Sequence, residues 1–262
     1  MRRTKVLASI VCGIFCLASG AGFAGTLQQV LSRGELRVGV ALAAPWALRD
    51  DAGEYRGFEI DVARKLAADM DVEVTFRRYD YARLILALES GEIDLIASGL
   101  TISPDRALHV NFSRPYATNG IGIATNSAST ADVARLEELN DPRFAIAVMD
   151  DSVGESLAQR IMPRARIAAF RTAEDASAAL ISGDVDVYFD EEPIPTFLAL
   201  EYPNDVDVPI NDPLVETRSA FAVTKGDPDF LAFLNAWIEA READTWLPTT
   251  HFYWFKTLQW QD

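Results

Sequence analysis

Cysteine is missing from residue 17 onward; the only two, Cys12 and Cys16, lie in an apolar run at the N-terminus. Past that run the chain can form no disulfide, no thiolate metal site and no cysteine nucleophile. Histidine is almost as scarce. His109 and His251 are far apart and each sits beside apolar, core-type residues, so there is no His-x-x-x-His metal pair, and no Gly-x-Ser-x-Gly turn offers a serine nucleophile. No cofactor is expected. Positive charge is in deficit, with 24 Lys and Arg against 39 Asp and Glu and a net charge of −15. So acidic a chain does not seek nucleic acid or an anionic membrane surface. Beyond the N-terminus, no stretch is long and apolar enough to cross a bilayer.

Arg2, Arg3 and Lys5 precede "VLASIVCGIFCLASGAGFA", which ends in small residues. A basic start, a short apolar core and small residues before a cut describe a secretory signal peptide over residues 1–24. Cleavage is expected after Ala24, with Ala21 as the second position. Neither cysteine follows a Leu-Ala-Gly-like triplet, so no lipid anchor is expected. Removing the segment takes three cations with it and moves the net charge from −15 to −18. Roughly 240 residues remain, enough for one large domain or two modest ones.

Strand and helix patterns then alternate. "LRVGV" (36–40) reads as a buried strand, and Phe58, Val62, Leu66 and Met70 recur every four positions on one helical face. "VEVTFR" is strand, "YARLILALES" helix and "IDLIAS" strand. "FAIAV", "SVGESLAQRIM", "RIAAF", "TAEDASAALIS" and "VDVYF" repeat the order before a strand "SAFAVTK" and a helix "FLAFLNAWIEARE". Such alternation predicts mostly parallel sheets covered by helices. "LESGEIDLIASG" (88–99) and "LISGDVDVYFDE" (180–191) share one pattern: a helix stopped at Ser-Gly, then a short strand ending in a polar loop. Ligands in open α/β sheets sit beyond the carboxyl ends of strands, so two such units facing each other would make a cleft.

One of those loops continues as "SGLTISPDRALHVNFSRPY" (98–116). Ser103 and Pro104 suit the cap and first position of a helix, which places Arg106 in the first turn. A cation is misplaced there, because peptide dipoles already concentrate positive charge at that end. A bound anion would relieve the misfit. Two partners compete for the guanidinium: a visiting carboxylate, or an internal one such as Asp105 or Glu191.

With "GELRVGV", "GFEIDVARKLA", "SGLTISPDR…VNFSRPY", "DDSVGE", "GDVDVYFDEEP" and "YWF", the sequence resembles the periplasmic solute-binding proteins of ABC importers, in the branch that binds polar amino acids. The resemblance implies an α/β, two-lobe, type II periplasmic-binding-protein fold with two hinge strands and a ligand cleft between the lobes. The crossings would fall near Tyr116–Gly120 and Glu216–Ala220. Lobe 1 would comprise residues 25–117 and 219–262, and lobe 2 residues 118–218. It further implies a periplasmic monomer that binds an amino acid or related carboxylate and delivers it to a membrane permease.

Carried over from the family, Arg106 would clamp the ligand carboxylate and Thr101 would add its hydroxyl. The carbonyl of Ser98 or Gly99 would accept from the ammonium, and Tyr81 would pack on the ligand. Backbone N–H groups around Ser152 and Val153 would come from the second lobe. Glu191, with Asp190 beside it, would neutralise the ammonium. Two departures alter the walls: Ala43 stands where an aromatic is usual, leaving Trp46 as that loop's ring, and Asp151 stands where glycine is usual. Tyr81, Trp46 and Tyr188 also suit a core, and the run Asp190–Glu192 also suits a solvated helix start. The same fold hosts cyclohexadienyl dehydratases, in which a cleft acid such as Glu191 would protonate a leaving hydroxyl.

Overall fold

The computed structural model describes residues 25–50 and 52–257. The expected signal segment and both cysteines lie outside the described residues. Helix α1 (Thr26–Arg33) stops at Gly34, whose φ of 71° is the left-handed turn that lets strand β1 (Glu35–Val40) begin. A small ribbon, β2 (Leu48–Arg49) and β3 (Tyr55–Arg56), leads into helix α2 (Phe58–Asp69). Phe58, Val62 and Leu66 are fully buried and Met70 nearly so, which makes the period-of-four stripe the core face.

Strand β4 (Glu73–Arg78), helix α3 (Leu84–Glu89), strand β5 (Leu95–Ile96), the one-turn helix α4 (Pro104–Ala107) and strand β6 (Val110–Phe112) follow. Next comes the long strand β7 (Ala117–Asn126), then β8 (Ala145–Met149), α5 (Val153–Ile161), β9 (Arg166–Phe170), α6 (Ala173–Ser182) and β10 (Val187–Glu191). Helix α7 (Ile194–Glu201), strands β11 (Val206–Asp207), β12 (Val215–Ser219) and β13 (Ala222–Thr224), and helices α8 (Pro228–Ala243) and α9 (Trp246–Phe252) complete the order.

Two sheets result. The first has the order β4-β1-β5-β13-β6, with β1 parallel to both neighbours and β13 antiparallel to β5 and β6. The second has the order β11-β7-β10-β8-β9, in which β10, β8 and β9 run parallel, and β12 also pairs with β7. Apolar side chains cover both faces of each sheet: Val38, Phe58 and Phe221 on one face of the first, and Leu84, Leu88 and Ile96 on the other. Val148, Leu157 and Phe189 flank the second sheet on one side, and Ala147, Leu180 and Tyr188 on the other.

The chain passes between the sheets twice. It leaves β6 for β7 and returns from β12 to β13, and these two passages pair antiparallel, Gly120 opposite Glu216 and Ala117 opposite Ser219. A Cβ on Gly120 would lie 2.4 Å from the side chain of Pro213 and 2.8 Å from the Val215 carbonyl oxygen, so the close pairing requires glycine. The expected strand "SAFAVTK" is therefore split. Ser219 closes the crossing strand and only Ala222–Thr224 joins the first sheet.

The internal echo is structural. Gly91 and Gly183 have φ of 73° and 79° and stop the two helices before β5 and β10. The aspartate common to both units plays the same part in each. Asp94 accepts the Arg37 N–H of β1 at 2.9 Å, and Asp186 accepts the Ala145 N–H of β8 at 2.7 Å. Each thereby ties the start of its strand to the neighbouring one.

Candidate functional site

The first wall is built where β1 and β5 end. Ser98 accepts the Ala41 N–H on its hydroxyl at 2.8 Å, which locks the two strand ends together. Gly99 follows with φ of 60°, and a Cβ there would come within 2.9 Å of the Trp46 ring. Trp46 is 4% exposed and meets Phe58 and Phe255 edge-on, so it is both core and wall. The Gly99 N–H donates to Glu59 Oε1 at 2.6 Å, and the Tyr116 hydroxyl lies 2.8 Å from each Glu59 oxygen. Burial pushes the Glu59 carboxyl up to about 7, against the pull of those two donors. Sequence reasoning missed Glu59. Its signal was an acid between Phe58 and Ile60 at the start of a buried helix.

Arg106 is 7% exposed. Ser103 caps α4 as expected, accepting the Arg106 N–H at 3.3 Å. The helix has only four residues, however, and Arg106 is the third, one position from its C-terminal end. The dipole misfit expected from the sequence therefore has little force. The guanidinium is positioned by neutral acceptors: Nη1 donates to Thr101 O at 3.0 Å and to the Tyr81 hydroxyl at 3.3 Å, and Nη2 donates to the Asp151 carbonyl. It also stands 5.2 Å from the Tyr81 ring centre. Neither Asp105 nor Glu191 forms an ion pair with it, and no other carboxylate among the described residues does so.

The second wall comes from α5 and β10. Asp151 has φ of 57°, the left-handed conformation that explains why glycine is usual there. Ser152 accepts the Glu155 N–H at 3.0 Å, and Glu155 accepts the Asp151 N–H at 2.9 Å, so the helix start is fastened from both sides. The first N–H groups of α5, at Val153 and Gly154, have no partner within the helix. At the end of β10, Asp190 accepts from the Tyr188 hydroxyl and, at 2.8 Å, from the Glu191 N–H. Glu191 Oε1 accepts from the Thr101 hydroxyl at 2.8 Å.

Burial raises both acids. Asp190 reaches about 6, with Glu192 adding to the rise and the Tyr188 and Glu191 donors opposing it. Glu191 reaches about 7, with Asp190 adding to the rise and the Thr101 hydroxyl and Arg106 charge opposing it.

The two walls enclose one cavity. Trp46, Tyr81, Ser98, Gly99, Thr101, Ser152, Val153, Asp190 and Glu191 all line it, together with Ala41, Ala43, Ile121, Met149 and Gly154. Of the ten residues expected from the sequence, Arg106 alone stands outside this wall. It lines the adjoining groove beside Thr101 and Ser152. The histidines take no part: His251 stacks on Phe255, and His109 is exposed beside Glu89 rather than packed in a core. Among the described residues, no group of three or more His, Cys, Asp or Glu side chains is placed to hold a metal ion.

Comparison with known proteins agrees with this architecture. The L-cystine-binding protein TcyJ of Escherichia coli (strain K12) is 25% identical over 261 residues, which cover 93% of each chain. The crystal structure of AncCDT-1, an ancestral amino acid-binding protein and precursor of cyclohexadienyl dehydratase, superposes with a TM-score of 0.80 at 32% identity, covering 89% of this chain and all of that one. A Wolinella succinogenes DSM 1740 protein crystallised in complex with lysine has a TM-score of 0.80 at 28% identity, covering 88% of this chain and all of that one. Residues 36–257 match one family, and that stretch holds all of the two sheets but Glu35 and every residue of the cavity. The chain belongs to the bacterial extracellular solute-binding proteins, family 3.

Proposed function

We propose that the cavity takes an amino acid, or a closely related small carboxylate, and that the protein delivers it unchanged to the membrane permease of an ABC importer. The observation that carries this reading is the double role of Thr101. Its carbonyl accepts from Arg106 at 3.0 Å and its hydroxyl donates to Glu191 at 2.8 Å. Thr101 lines both the cavity and the adjoining groove, so one residue links an acid in the cavity to a cation in the groove beside it, which suits the two ends of an α-amino acid. The ligand carboxylate would take donors from Arg106 and from the start of α5, and the ammonium would take over Glu191 from Thr101. The lobes would meet at 117/118 and 218/219, where the paired crossing leaves the first sheet. The relatives' names support an amino-acid ligand.

A dehydratase reading has one observation in its favour: an enclosed Glu191 titrating near neutrality suits a general acid. Mass spectrometry of small molecules released from the purified, denatured protein tests the first reading, which expects an intact α-amino acid. Turnover of prephenate or arogenate, lost in Glu191→Gln, would replace it with the second.

A further inference from the structure

Charge is unevenly placed around the cavity. Of its fourteen lining residues, only Asp190 and Glu191 carry charge, and both are acids. Arg106 approaches from the neighbouring groove, with its donors aimed at Thr101, Tyr81 and Asp151. A simple zwitterion would place its carboxylate by Arg106 and its ammonium by Glu191. Asp190 would then remain enclosed beside Glu191, with no Lys, Arg or His among the described residues within ion-pairing distance.

Asp190 and Tyr188 share one face of β10, being two residues apart, and the Tyr188 hydroxyl aims the carboxyl. Ala44 packs against the apolar cluster around Tyr188 and Ile194, which brings the loop of Ala41 and Ala43 over this end of the cavity. The side chains this loop adds to the lining, Ala41 and Ala43, are small. Trp46 and Tyr81 lie on the same lining, and the Tyr81 ring already has a cation over it, the Arg106 guanidinium 5.2 Å from its centre.

We infer that the ligand carries a second cationic group, an amine or guanidine on its side chain, that pairs with Asp190. The ligand class is then a basic amino acid. This rests on the amino-acid reading above and narrows it. A buried charge left without its partner lowers affinity by about 30-fold or more. The test is calorimetric titration at one pH with L-arginine and L-lysine beside their neutral counterparts L-citrulline and L-norleucine. Each basic ligand should bind at least about 30-fold tighter than its neutral counterpart. In Asp190→Asn that ratio should fall at least about tenfold, since the neutral amide keeps an acceptor for Tyr188 but loses the charge. The wild-type ratio stands as a test by itself should the variant misfold. Neutral ligands binding as tightly as basic ones overturn this inference and leave the amino-acid reading intact. No binding by any α-amino acid overturns both.

Discussion

The hydroxyl of Thr101, in the loop beyond β5, donates to Oε1 of Glu191, at the end of β10, at 2.8 Å. The bond joins the two walls of the cavity directly. It also occupies the acceptor that an ammonium would need. In the proposed binding mode, ligand entry would exchange one partner of Glu191 for a charged one. Thr101→Val keeps the shape and the carbonyl that receives Arg106 but deletes this donor. Losing a hydrogen bond of this kind costs about 0.5–1.5 kcal/mol, so ligand affinity measured by calorimetry should change by less than about 15-fold. A larger loss would mean that the hydroxyl contacts the ligand itself.

Arg106→Ala should abolish ligand binding in practice, weakening it by about 2–5 kcal/mol, or roughly 30- to several-thousand-fold. The same change leaves Thr101 O and the Asp151 carbonyl without their donor, so the free protein should also melt several degrees lower. Arg106→Lys should recover only part of the affinity, because an ammonium cannot reach acceptors on both sides as the planar fork does. Thermal melts with and without ligand report both effects. Retained binding in Arg106→Ala would remove the carboxylate clamp from this site.

Glu59, Asp190 and Glu191 all sit above their ordinary values, at about 7, 6 and 7. Each holds its proton more tightly folded than unfolded. Their contribution to stability is full below the unfolded carboxylate values near 4 and is lost as pH rises through about 6–7. The ligand-free protein should therefore be more stable near pH 5 than near pH 8 as far as these groups decide. Binding runs the other way. An ammonium beside Glu191, already flanked by Asp190, Glu59, Arg106 and Thr101, favours the ionised acid and expels its proton. Affinity should rise with pH up to about 7 and then level off, and titrations in two buffers of different ionisation enthalpy should register proton release below that point. A flat profile between pH 5.5 and 7.5 would mean that Glu191 does not meet the ammonium.

Glu59 offers a separate test of the support behind Gly99. Glu59→Gln keeps an acceptor for the Gly99 N–H and a partner for the Tyr116 hydroxyl, so it should fold normally and gain stability over wild type at pH 8, where the native acid must ionise. Glu59→Leu leaves both donors buried without a partner, at about 1–3 kcal/mol each. Urea denaturation at pH 5 and pH 8 separates the two variants. Equal stability of all three proteins at both values would show that the carboxyl is neither strained nor supporting Gly99.

Much of the fold was legible because it rests on near neighbours in the chain. The buried stripe of Phe58, Val62 and Leu66, the left-handed stops at Gly91 and Gly183, and the cap at Ser103 each need only a few adjacent residues. The site residues were reached through a family resemblance, and nine of those ten line one cavity. What the sequence alone determined was alternation, helix ends and the places where polar loops follow strands. Tertiary structure decided which loops face each other and which groups share a proton or a charge. Glu59 meets Gly99 across 40 positions, Thr101 meets Glu191 across 90, and β7 pairs with β12 at the double crossing. Arg106 shows the limit most directly: its four-residue helix carries too little dipole to govern it, and its partners Tyr81, Thr101 and Asp151 come from three separate segments. Such contacts leave no local pattern, because burial and charge compensation are set by what the folded chain brings alongside.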